Sequence, residues 1–211
     1  MSHEYPSISN SSKAPKQPCI VFDKLDGNNV RVKYTQKKGF YLYGTRTQLF
    51  DVSAPEWAPV ITLFEKNYKA PLEKLISKHY ANEREITAFL EFYGDNSFAG
   101  VHQPGDEPKL VLFDLLVGHK QPQFLLPQEF IKFCGDKVEI PRVLYKGNLG
   151  PALIADVRAG KFPVKEGVIC KGTTRSDYAF GGVWMAKIKT QAYLDIIFNR
   201  YGAEGMLKYG E

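Results

Sequence analysis

The order of its strand-like segments limits what this chain can fold into more than any other feature. Cys19-Ile20-Val21-Phe22 is a short apolar run of the kind a buried strand makes, and Val30, Val32 and Tyr34 alternate with Arg31 and Lys33 as on a half-buried strand. A polar turn from Thr35 to Gly39 leads to a returning strand at Phe40-Tyr41-Leu42-Tyr43, ended by Gly44. Strand patterns also run over Glu85 to Tyr93, Leu110 to Val117, Arg142 to Tyr145, Glu166 to Lys171 and Val183 to Thr190. Helical patterns are fewer. Ser53-Ala-Pro-Glu56 has capping-box spacing ahead of Trp57, Val60, Ile61 and Phe64, and Pro71 interrupts before Leu72, Leu75, Ile76 and Tyr80. Short helices are predicted at Pro127 to Cys134, Pro151 to Ala159 and Gln191 to Tyr201. Parallel neighbours need a crossover between strands, usually a helix. These helices do not alternate regularly with the strands, so the pattern predicts an α+β fold with mixed, largely antiparallel sheets rather than a doubly wound parallel one.

The chain has 211 residues, 44% of them hydrophobic and 24% charged, enough to bury a core and unlike a disordered or low-complexity protein. Its longest apolar runs, such as Leu110 to Val117 with Asp114 inside, fall short of the about 20 residues a membrane-spanning helix needs, so no membrane partner is expected. Met1 to Pro18 is polar and Ser-rich, which is unlike a secretory leader and points to the cytoplasm. Residues 1–17 read as a flexible tail before a domain over 18–211. Cys19, Cys134 and Cys170 are odd in number and widely spaced, which argues against a disulfide framework or a paired-cysteine zinc site and leaves oxygen ligands for any metal. Lys and Arg number 28 against 23 acids, a net charge of +5 that suits a phosphate-rich partner without requiring one.

Lys24-Leu-Asp26-Gly27-Asn28-Asn29 sets a lysine where a strand enters a tight glycine turn. A lysine amine is a nucleophile only after losing a proton it holds well above neutral pH, which takes desolvation or neighbouring positive charge. Four more features follow in order: Gly44-Thr45-Arg46; Glu91-Phe92-Tyr93-Gly94 with Phe113-Asp114; Glu166-Gly167-Val168-Ile169-Cys170-Lys171; and Lys187-Ile188-Lys189. Each alone has an ordinary structural explanation: a surface cation, a solvated strand residue, a core aromatic, the wet face of a strand. Their joint presence in this order is what carries the reading.

With that order the sequence resembles the covalent nucleotidyltransferases, which include polynucleotide ligases and mRNA capping enzymes, and most closely the ATP-dependent RNA ligases. The resemblance implies the nucleotidyltransferase (ATP-grasp-like adenylation) fold. Lys24 would form a lysyl-adenylate, with Asp26 and Gly27 completing the Lys-x-Asp-Gly signature. Asn29 tilts the resemblance towards RNA ligases, because DNA ligases and capping enzymes usually carry Arg where this chain has Asn28. Glu91 would accept a bond from a ribose hydroxyl, Phe113 would stack on adenine with Asp114 in support, and Arg46 would meet a substrate phosphate. Glu166 and Asn29 would lie by the metal, and Lys171, Lys187 and Lys189 by the nucleotide phosphates. The implied cofactors are ATP and Mg²⁺ or Mn²⁺, and the implied substrate is RNA with 5′-phosphate and 3′-hydroxyl ends.

Charge building on a transferring phosphoryl group calls for cations and a metal, so the residue chemistry fits these roles. Lys187 and Lys189 are two apart and share a strand face. Cations expected to touch RNA are Arg31, Lys33, Arg46 and Arg175, with Arg158, Lys161 and Lys165 as further loop candidates. Only 22 residues follow Lys189 (211 − 189), against about 70 for an OB barrel, so an adenylation core without an OB domain is expected, with a protein partner able to supply substrate binding. The rival readings are a minimal DNA ligase or capping-type enzyme, and a non-catalytic nucleic-acid-binding relative.

Overall fold

The computed structural model describes residues 4–97, 100 and 102–206. Its strands are β1 (Ser9–Asn10), β2 (Pro18–Lys24), β3 (Asn28–Thr35), β4 (Gly39–Thr45), β5 (Glu85–Tyr93), β6 (Lys109–Val117), β7 (Gln123–Phe124), β8 (Val143–Asn148), β9 (Gly167–Gly172) and β10 (Met185–Lys189). Its α-helices are α1 (Ala58–Phe64), α2 (Ala70–His79), α3 (Pro127–Cys134), α4 (Pro151–Arg158) and α5 (Gln191–Gly205). The chain forms two compact units, one from Met1–Tyr5 and Asp26–Ile140, the other from Pro6–Leu25 and Pro141–Glu211. Among the described residues no helix is long and apolar enough to cross a membrane.

The first unit holds a five-stranded sheet in the order β4-β3-β5-β6-β7, antiparallel throughout. Strand alternation sends Val30, Val32, Ile86, Ala88 and Leu90 to one face, where they pack with Val60, Phe64, Tyr68, Leu72 and Ile76 of the helical segment. That segment differs from the sequence expectation. Asp51 takes both the Ser53 hydroxyl and the Ser53 N–H at 2.8 Å, so Ser53 caps nothing. A 3₁₀ turn at Pro55–Trp57 leads into α1, and a π-turn at Glu65–Lys69 joins α1 to α2. Pro71 has no N–H to give and its ring crowds the carbonyl four residues back; the helix widens by a π-turn there instead of ending.

The second unit holds the sheet β1-β10-β9-β2-β8, antiparallel except for the β1–β10 pair. Cys19, Val21, Val168, Cys170, Ala186 and Ile188 fill one face against Leu153 and Val157 of α4. The antiparallel-dominated α+β architecture read from the sequence is therefore the one observed. The segment expected as a lead-in supplies β1 to this sheet and Tyr5, 6% exposed, to the first unit.

Candidate active site

In the second unit, pairing sets Lys24 opposite Gly167 and Gly167 opposite Lys189. Alternation then places Ile20, Phe22, Lys24, Ile169, Lys171, Met185, Lys187 and Lys189 on the face away from the apolar core. Gly167 permits the close approach of the strand ends: a Cβ there would lie 2.1 Å from the Ile188 carbonyl oxygen. Just before it, Glu166 is 3% exposed, and its carboxylate bridges two amines. Lys24 Nζ lies 2.7 Å from Oε2 and Lys189 Nζ 3.1 Å from Oε1. Thr190 fixes this corner, since its N–H donates to the Glu166 carbonyl at 2.9 Å while its Oγ accepts from Tyr193 N–H and caps α5. Lys189 also lies over the Tyr193 ring and Lys171 over the Phe22 ring, at 4.8 and 5.2 Å. On this face the residues of β2, β9 and β10 include four lysines and no carboxylate, so Glu166 is the acid that reaches in. Such a face attracts a polyanion.

In the first unit the face away from the helices carries Asn29 opposite Glu91 and Arg31 opposite Phe89. Phe89 pairs with Asp114 and Leu90 with Leu112, so Phe113 is the extra residue of a β-bulge. A bulge re-aims a side chain, and here Phe113 and Asp114 both meet Tyr5. The Tyr5 ring stands edge-on to Phe113 at 4.9 Å and contacts Phe89 and Phe124 at 5.0 and 5.5 Å. Its hydroxyl donates to Asp114 Oδ2 at 2.5 Å, and Arg46 Nε donates to its carbonyl at 3.2 Å. Burial, then the Asp114 carboxylate, pushes the Tyr5 hydroxyl well above its ordinary pKa.

The Asn29 side-chain oxygen is buried without a hydrogen-bond partner. Gly27 must be glycine, because a Cβ would sit 2.2 Å from the Phe92 carbonyl oxygen; His102 Nε2 meets the carbonyl of Asp26 at 2.9 Å. Arg31 is 4% exposed beside Gly44, and burial lowers the pKa of its guanidinium while Glu4 opposes that shift.

The structure thus joins Lys24, Glu166 and Lys189 by ion pairs and clusters Arg46, Phe113 and Asp114 around Tyr5. Of the cations expected to touch RNA, Lys33 pairs with Glu85 at 2.7 Å, Arg158 donates to the Lys189 carbonyl at 3.0 Å and Lys161 pairs with Asp156 at 2.7 Å. Lys165 and Arg175 are exposed. Tyr5 and Thr190 were missed in the sequence. One signal was present: Tyr5 is the only aromatic among the first 17 residues.

The RNA ligase family model matches residues 17–189. Among solved structures, a Naegleria gruberi RNA ligase with PPi is 16% identical, with a TM-score of 0.66 over 94% of this chain and 59% of that one. A mutant of that ligase with AMP and Mn gives 17% and 0.65 over 92% and 58%, and another with ATP and Mn gives 17% and 0.64 over 93% and 61%. The chain therefore spans about three fifths of the ligase chains it matches in structure. No curated protein matches it in sequence. At these identities the structural likeness shows a shared fold, and the family match covers most of the chain. The chain belongs to the RNA ligase family.

Proposed function

We propose that this chain is an ATP-dependent RNA ligase working with Mg²⁺ or Mn²⁺, and that Lys24 is its nucleophile. The observation that carries the reading is the Lys24–Glu166–Lys189 corner on a face rich in lysine. Glu166 Oε2, 2.7 Å from Lys24 Nζ, is placed to take the proton the amine must lose. The freed amine attacks the α-phosphorus of ATP, the bond to the β-phosphate bridging oxygen breaks, and pyrophosphate leaves with Lys24 carrying AMP. Lys187 and Lys189, and Lys171 further along the same face, offset the charge that builds on the phosphate oxygens. AMP then passes to an RNA 5′-phosphate, and a 3′-hydroxyl displaces it to close the phosphodiester.

Roles in the first unit follow the family resemblance: Phe113 for the purine, Glu91 for a ribose hydroxyl, and Arg46 and Asp114 around them. The residues suit a hard cation. Glu166 is a carboxylate, and the Asn29 side-chain oxygen has no hydrogen bond of its own. Among the described residues no three His, Cys, Asp or Glu side chains cluster; phosphate and water oxygens are further ligands of the kind such a cation takes. When bound, the cation would neutralise phosphate charge. The same reading assigns the work to RNA repair in the cytoplasm.

The test is sealing of a 5′-phosphorylated RNA to a 3′-hydroxyl RNA with ATP and Mg²⁺, alongside matched DNA ends. ATP-dependent joining of RNA that is lost in Lys24→Ala supports the proposal; faster joining of DNA ends, or joining by Lys24→Ala, contradicts it.

A further inference from the structure

Arg158, half-buried at the end of α4, directs its guanidinium to the main chain of another element. Leu153 and Val157 of the same helix pack on the apolar face of the second sheet. Burial lowers the pKa of the guanidinium, so keeping the charge there costs free energy. The helix does not use the side chain as its own cap. The N–H groups of Ala159, Lys161 and Gly160 donate to the carbonyls of Ala155, Asp156 and Val157 at 2.9, 3.0 and 3.0 Å, and Gly160, at φ 70°, turns the chain away. Arg158 Nη1 instead donates to the carbonyl of Lys189 at 3.0 Å. Lys189 is the last residue of β10, and its carbonyl finds its donor outside the sheet.

That carbonyl belongs to the peptide between Lys189 and Thr190, and the same peptide is held from its other side. Its N–H, that of Thr190, donates to the Glu166 carbonyl at 2.9 Å. A chain of hydrogen bonds thus runs from Arg158 through one peptide to Glu166, and bonds in series polarise one another. The residues it joins are the ones that meet at the nucleophile: Glu166 Oε1 lies 3.1 Å from Lys189 Nζ and Oε2 2.7 Å from Lys24 Nζ. We propose, resting on the RNA ligase reading, that Arg158 is a positioning residue for adenylation. It fixes the main chain at Lys189, and with it the place from which the Lys189 ammonium meets Glu166 and the transferring phosphate. It acts through Lys189 and not by touching RNA, the role its charge alone suggests.

The test variant is Arg158→Met, which keeps an apolar stem and removes the donor. Single-turnover labelling is followed across ATP concentrations in the parent, Arg158→Met, Lys189→Ala and the double variant. The rate at saturating ATP should fall about tenfold in Arg158→Met, with half-saturation within about twofold of the parent. On the Lys189→Ala background the same change should cost about twofold or less, because the group being positioned is gone. A parent-like rate in Arg158→Met overturns the proposal, and so does an equal fall on both backgrounds, which would mean that the guanidinium acts on its own. Amide hydrogen exchange reads the clamp without ATP: Thr190 N–H should exchange about tenfold faster in Arg158→Met, and unchanged exchange also overturns the proposal. Absence of labelling in the parent chain counts against the ligase reading alone, because the exchange result still decides whether Arg158 holds this peptide.

Discussion

The two sheets each have one apolar face and one polar face, but the polar faces are built on different physics. In the second unit Lys24, Lys171, Lys187 and Lys189 share a face, with the Glu166 carboxylate holding Lys24 and Lys189 at 2.7 and 3.1 Å. In the first unit the corresponding face gathers aromatic rings, with Phe89, Phe113 and Phe124 set edge-on around Tyr5 and the Asp114 carboxylate accepting from the Tyr5 hydroxyl. One surface gathers positive charge, which suits phosphates and the steps that transfer them. The other offers flat apolar rings and acceptors, which suit a base and its hydroxyls. The difference teaches that rate and recognition should separate by unit.

Four substitutions press on that separation, and the largest effect belongs to the second unit. Lys189→Ala removes a cation and leaves Glu166 with one amine; adenylation should fall about 10²-fold or more with little change in ATP binding. Single-turnover labelling across ATP concentrations reads this, and a loss confined to ATP affinity would erase the contrast between the units. Tyr5→Phe keeps the ring but removes the donor to Asp114, a carboxylate 1% exposed, so denaturant unfolding should show a loss of about 2 kcal/mol. An unchanged midpoint would mean that another group satisfies Asp114 once the hydroxyl is gone.

Smaller effects sharpen the picture. Phe113→Ala should weaken ATP binding about tenfold while Phe113→Trp largely keeps it, because stacking needs a ring; equal loss in both variants would make Phe113 a packing residue. Thr190→Ala removes the cap of α5 and should cost about 1 kcal/mol, measured by thermal unfolding. Its adenylation rate should fall less than that of Lys189→Ala, since Thr190 holds Glu166 through the backbone.

The strands were the legible part of the fold, because a period of two survives in the sequence wherever one face is buried. The pattern over Glu85 to Tyr93 matches β5, and the helix over Pro127 to Cys134 matches α3. The entry to α1 was misread because Asp51 outcompetes the helix for Ser53, a local bond that capping-box spacing does not reveal. Joining Lys24, Glu166 and Lys189 depends on strand register between segments more than 140 residues apart in sequence, and family resemblance rather than periodicity marked them. The bulge at Phe113 and the docking of Tyr5 were not legible. A bulge is a mismatch in count between two strands, and a lone tyrosine in a Ser-rich segment looks the same whether docked or free.

The central claim is that Lys24 carries the adenylate, and locating the label tests it most directly. The chain is incubated with α-labelled ATP and Mg²⁺, denatured, digested and mapped by mass spectrometry. The account predicts one AMP adduct on Lys24, absent from Lys24→Ala. An adduct on another residue, or one that persists in Lys24→Ala, would contradict it.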